Sequence, residues 1–75
     1  MRWQHHIVST PDTLHGTPRF RGTRIAVSIV LENLAAGVSA EELHAHYPTL
    51  PVEAVLAALA YAANLARNRL VPVPT

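Results

Sequence analysis

Three arginines and a threonine, Arg19, Arg21, Thr23 and Arg24, stand together in the stretch Gly16-Thr17-Pro18-Arg19-Phe20-Arg21-Gly22-Thr23-Arg24-Ile25-Ala26-Val27. A planar guanidinium pairs bidentately with phosphate or carboxylate, and turn amides add further donors, so this set is a candidate nucleic-acid or anion-binding patch. A structural use is open as well: an arginine here can tie a loop to helix-terminal carbonyls or pair with Glu32 or Glu41. The five histidines invite a metal reading. His5 and His6 are neighbours on opposite faces of a strand, however, and His44 and His46 lie about 200° apart on a helix, so neither pair offers two ligands from one surface. No metal site and no cofactor are expected, and the histidines are read as solvated or partner-facing.

Catalytic chemistry finds little to build on. There is no glycine-rich phosphate loop, no nucleophile motif and no pair of carboxylates framed by a cleft, and the acids sit where helix starts and surfaces favour them. The expectation is a binding protein, not an enzyme.

The elements that must position the arginines follow from local chemistry. Gly16 and Gly22 supply turns, Pro18 pushes Thr17 toward extended backbone, and Arg19-Phe20-Arg21 alternates so that Phe20 points inward and both guanidinium groups outward. Short strands are expected over His5 to Ser9, with Ile7 buried, over Arg19 to Arg21 and over Arg24 to Ala26. Strands this short must lie on helices or pair with a second chain. Trp3, just ahead of the first, is expected to pack against the helices or a partner.

Helix dominates the rest. The first helix is expected from Ser28 to Ala36, with Ile29, Val30, Leu34 and Leu31 toward the core and Gly37 just past its end. Ser39 with Glu42 three residues on is a capping box, flanked by the apolar pair Val38 and Leu43, and marks the second helix, which must end by Tyr47 before Pro48. Pro51 and Glu53 suit the first turn of a third helix running from Val52 to Arg69, roughly 27 Å long. Its face of Val52, Val55, Leu56, Leu59, Ala63, Ala66 and Leu70 recurs at three and four and is assigned to the core. A second stripe of Ala54, Ala58, Tyr61 and Leu65 is assigned to a partner, most simply a second copy, because a helix apolar nearly all round is buried on more than one side. The tail Leu70-Val71-Pro72-Val73-Pro74-Thr75 is extended and apolar, suited to a groove on another protein, so Leu70, Val71 and Val73 join the partner-contact set.

Four separated motifs now occur in order: Gly16-x-Pro18-x-x-x-Gly22-Thr23-Arg24-Ile25; Leu34-Ala35-Ala36-Gly37-Val38-Ser39-x-Glu41-Glu42-Leu43; Tyr47-Pro48-x-Leu50; and Ala57-Ala58-Leu59-Ala60-Tyr61-Ala62-Ala63. The pattern resembles the bacterial domain-of-unknown-function family four-three-three, from about Ile7 to Val73. The resemblance implies an antitoxin-like protein with a three-helix, helix-turn-helix or winged-helix-like fold, paired with a PIN-type ribonuclease toxin in a VapBC-like module. The family often has proline where Ala26 stands and a Ser or Thr cap where Pro51 stands, so the starts of the first and third helices are where this chain should depart from its relatives.

Composition narrows the partners. Seventy-five residues make one domain near the lower limit for a single core, and the chain has no cysteine to staple it. No apolar run is long enough to span a bilayer and the N-terminus lacks the apolar core of a signal peptide, so no membrane partner and a cytoplasmic location are expected. A formal net charge of +1 leaves little diffuse attraction to DNA. The expected fold is mainly α, a small α+β domain over 1–75: short strands and the Gly/Arg turn over 1–27, a three-helix bundle over 28–70 and a tail over 71–75. The expected function is a homodimeric antitoxin-like binding protein that neutralises a PIN-type toxin and binds its own operator DNA. The alternative is a dimerisation or protein-interaction module that never touches nucleic acid. In the helix-turn-helix reading the third helix is the recognition helix, yet Thr49 to Glu53 at its start include no basic residue, so phosphate contacts would fall to Arg19, Arg21 and Arg24.

Overall fold

In the computed structural model, which describes residues 1–68, the end of α1 and the start of α2 lie where side-chain and backbone chemistry stops them. The order is β1 (Ile7–Val8), β2 (Arg19–Phe20), α1 (Val27–Ala35), α2 (Ala40–His46) and α3 (Val52–Asn68), with 3-10 turns at Trp3–His5 and Leu14–Gly16. The capping box forms at α2: Ser39 Oγ accepts from the Glu42 amide at 3.1 Å, and the Glu42 carboxylate accepts from the Ser39 amide at 3.3 Å. At the other end of the preceding loop, Gly37 has φ +94°, and its amide and that of Val38 donate to Leu34 and Asn33 carbonyls at 3.0 Å each. These two bonds close α1 as a Schellman motif, in which a left-handed residue satisfies the last carbonyls.

β1 and β2 form an antiparallel two-stranded sheet with Ile7 opposite Phe20 and Val8 opposite Arg19. Alternation puts Ile7 and Phe20 inward, 6% and 1% exposed, as the sequence pattern predicts. After β2 the chain reverses over Phe20 to Thr23, where the Thr23 amide donates to the Phe20 carbonyl at 3.0 Å and Gly22 takes φ +77°, the positive angle a type II turn requires. The strand expected over Arg24 to Ala26 is reduced to a single bridge between Arg19 and Ala26, because the helix starts at the next residue. The first strand is likewise shortened to two residues, its predicted start at His5 being taken up by the 3-10 turn.

The core gathers Ile7, Phe20, Val27, Val30, Leu43, Leu50, Ala54, Val55 and Ala58, with Trp3, Leu31, Leu34, Val38 and Tyr61 packed around it. Trp3 meets Tyr61 edge to face at 5.0 Å between centroids, which fixes the N-terminal turn on α3. The protein is therefore a small α+β fold of three helices and a short N-terminal hairpin.

Two faces differ from expectation. α1 begins at Val27, one residue earlier than predicted, after an uncapped Ala26 whose φ of −68° is one that proline would share. The inward stripe is Val27, Val30, Leu31 and Leu34, at spacings of three and four, with Val30 and Leu34 inward as predicted; Ile29, expected inside, lies about 100° from Val30 and 200° from Val27 and is 42% exposed. On α3 the assignment holds in part: Val55 is completely buried, as predicted. Ala54 and Ala58, predicted to face a partner, are buried in the chain's own core, while Leu56 and Leu59, predicted to be core, are 44% and 46% exposed. Both sides of this helix are uncharged between Glu53 and Arg67, so periodicity identifies two apolar faces without ranking them. The alanine side wins because small side chains let neighbouring elements approach closely, and Ala57 and Ala58 lie there completely covered.

Candidate functional site

Arg19 leaves β2 half-buried, and its guanidinium is occupied within the chain. One terminal nitrogen donates to the Thr23 carbonyl at 3.0 Å, the other donates to Thr10 Oγ1 at 3.2 Å, and Nε is buried with no partner. Arg21 turns the other way: Nε donates to the His5 carbonyl at 3.1 Å and a terminal nitrogen to the Gln4 carbonyl at 3.3 Å. Thr23 is also engaged, donating from Oγ1 to the Phe20 carbonyl at 2.8 Å and accepting from the Ile25 amide at 3.1 Å. Each of these contacts ties a loop to the hairpin, the structural use open at the sequence level, although the carbonyls belong to loops and turns and not to helix ends. Arg24 is exposed. Of the four residues assigned to anion binding, three spend donors holding the turn.

The concave surface lies beside this hairpin instead. A half-open groove of about 230 Å³ is walled by Thr17 and Pro18 from the loop before β2, by Val27 and Leu31 from α1 and by Tyr61 and Leu65 from α3, with Ser28 at its edge. Its lining is almost entirely carbon, so it has shape and apolar surface to offer and no group poised for proton transfer. Tyr61 and Leu65, predicted as partner-contacting, both line it. Leu70, Val71 and Val73, the remaining residues of that set, lie outside the described residues.

The backbone at the groove's lip is strained. Leu14 and His15 have φ +51° and +54°, and Gly16 follows at +82°, so three successive residues are left-handed immediately before Thr17 and Pro18. Only the glycine does this without steric cost; a leucine there is an outlier. The turn is held by the Gly16 amide on the Thr13 carbonyl at 3.1 Å, the Thr17 amide on the Leu14 carbonyl at 2.9 Å and a Ser9 hydroxyl donating to the Gly16 carbonyl. Nothing in Leu14-His15 announces this in sequence, where Gly16 alone signals a turn. Val27, Ser28 and Leu31 were also invisible as groove residues, because their contribution depends on how α1 crosses α3.

The histidines do not converge. His44 Nδ1 lies 2.6 Å from the Leu50 carbonyl and donates to it, stitching α2 to the turn before α3, while His5, His15 and His46 are exposed. Among the described residues no three His, Asp or Glu side chains come together, and no helix there is long and apolar enough to cross a membrane.

Comparison with known proteins matches this architecture to a family. The family model described as "Protein of unknown function (DUF433)" matches residues 7–62. The chain is 44% identical over 64 residues to the uncharacterized protein y4eO of Sinorhizobium fredii, an alignment covering 84% of this chain and 29% of that longer protein. Among solved structures, the crystal structure of a DUF433 member from Anabaena variabilis superposes with a TM-score of 0.73 at 35% identity, over 87% of this chain and 61% of that one. The matched span holds the hairpin, all of α1 and α2 and α3 through Ala62. The chain belongs to the DUF433 family.

Proposed function

We propose that this chain is a protein-binding module of antitoxin type, which holds a PIN-type ribonuclease through the apolar groove between the Pro18 loop, α1 and α3. The observation that carries the reading is the groove itself: an uncharged concavity lined by Pro18, Leu31, Tyr61 and Leu65, suited to apolar side chains from another protein. The left-handed turn at Leu14 to Gly16 supports it, since backbone strain persists where the surrounding structure over-determines it and gathers at binding surfaces. The nuclease as partner rests on the resemblance of the sequence motifs to antitoxin-like proteins.

Operator DNA fits less well. The outer side of α3, the nominal recognition helix, presents Glu53 near its start and then Leu56 and Leu59, an acid and two aliphatic side chains where phosphate and base contacts would be needed. Arg19 and Arg21 are committed to loop carbonyls. Affinity purification of the tagged chain from cells that encode it, followed by mass spectrometry, tests the proposal. A PIN-type nuclease recovered in near-equal amount is the expected result. Recovery of DNA, or of the chain without any nuclease, would overturn it.

A further inference from the structure

The groove uses one side of α3, and the other described residues leave the opposite side uncovered. Counting about 100° per residue, Tyr61 and Leu65 point to the groove while Leu56, Leu59, Ala63 and Ala66 point away from it. Leu56 and Leu59 are 44% and 46% exposed, and Ala63 and Ala66 are exposed beside them. From Ala54 to Ala66 the helix carries no charge. Exposed aliphatic side chains on an uncharged helix face mark a surface that another protein covers.

Two gradients along this face say what covers it. Bulk falls from the N-terminal half, with Leu56 and Leu59, to the C-terminal half, with only Ala60, Ala63 and Ala66. Charge runs in step with it: Glu53 stands at the bulky end and Arg67 at the small end, both exposed. The two are about four turns apart, near 21 Å, and so fall close to the same edge of the helix. Ala60 is midway between them.

We infer that this face is the contact by which two copies of the chain pair, their α3 helices antiparallel about Ala60. In that arrangement Leu56 of each copy lies beside Ala63 of the other, large against small, and the two Leu59 side chains meet across the two-fold. Glu53 of each copy meets Arg67 of the other at both ends. A parallel pair would instead set Leu56 on Leu56, Ala63 on Ala63, Glu53 on Glu53 and Arg67 on Arg67. One face is therefore complementary to itself in bulk and in charge, as an isologous two-fold contact requires, and only in the antiparallel sense. Because the groove lies on the other side of α3, the pairing stands whether or not the groove binds a nuclease.

Sedimentation equilibrium of the full chain tests this with three variants, Leu59→Glu, Glu53→Arg and Arg67→Glu. Wild type is expected to be dimeric. Leu59→Glu should be monomeric with its helical circular dichroism intact, since the side chain it replaces is already solvent-exposed. Each charge reversal places like charges at both ends and should weaken pairing about tenfold. Mixed in equal amounts, the two reversed variants should pair as tightly as wild type, because opposite charges then meet at both ends. A wild-type monomer at millimolar concentration would overturn the inference, and so would a dimer indifferent to Leu59→Glu. Reversed variants that pair as tightly as wild type would overturn the antiparallel register, since in a parallel pair like charges already meet, and a mixture no tighter than either reversed variant alone would overturn the pairing of Glu53 with Arg67.

Discussion

Arg19 is the residue whose role changes most between sequence and structure. Its type and neighbours are those of an anion ligand, but its terminal nitrogens hold the Thr23 carbonyl and Thr10 Oγ1. Bonds from a charged donor in a half-buried setting contribute about 1.5–3 kcal/mol, reduced here by the unsatisfied Nε. Arg19→Ala should therefore lower unfolding stability in urea by about 2 kcal/mol, whereas Arg24→Ala, at an exposed site, should change it by less than about 0.5 kcal/mol. Equal effects would remove the distinction drawn between them. His15 makes the opposite case. A left-handed non-glycine residue costs about 1–2 kcal/mol, part of which a glycine gives back by loosening the unfolded chain. His15→Gly should raise the urea midpoint, with a net gain of about 0.5–1 kcal/mol; a loss of stability would show that the His15 side chain holds the turn. Inward Phe20 and Ile7 were legible from alternation alone, but no residue type reveals where an arginine's five donors go, because that depends on loops far away in sequence.

At the scale of elements, what could be read was what is local. The Ser39 and Glu42 box, the stop at Gly37 and the break before Pro48 all act within a few residues, and α1, α2 and α3 fall within a residue of their predicted limits over the described span. Ser39→Ala should cost about 1 kcal/mol of unfolding free energy by removing the acceptor of the Glu42 amide; no loss on denaturant titration would mean that packing of Leu43, and not the cap, sets the start of α2. What could not be read was which way each helix faces. Val27 lies on the inward stripe of α1 and Ile29 off it, and α3 buried Ala54, Ala57 and Ala58 while it exposed Leu56 and Leu59. A helix with two apolar faces is resolved only by the shape of its neighbours, which short-range patterns do not encode.

The whole molecule presents two apolar surfaces on opposite sides of one helix, a concave one at Tyr61 and Leu65 and an open one at Leu56 and Leu59. Its net charge is near neutral, and Arg19 and Arg21 both spend donors on carbonyls, Arg19 half-buried and Arg21 at the surface. Tyr61 and Leu65 stand out in the sequence because their bulk interrupts a run of alanines, and both line the groove; the rest of the groove was not legible, being assembled from α1 and from the strained loop at its lip. The most direct test of the protein-binding account is a comparison of wild type, Leu65→Glu and Leu59→Glu in capture of the PIN-type nuclease from cells. Leu65 is 36% exposed, so its replacement should leave the fold intact, as circular dichroism would register. Wild type and Leu59→Glu should both recover the nuclease in near-equal amount, and Leu65→Glu should recover almost none. Undiminished capture by folded Leu65→Glu would contradict the groove as the binding site, and capture of no nuclease by any of the three would contradict the function proposed for the protein.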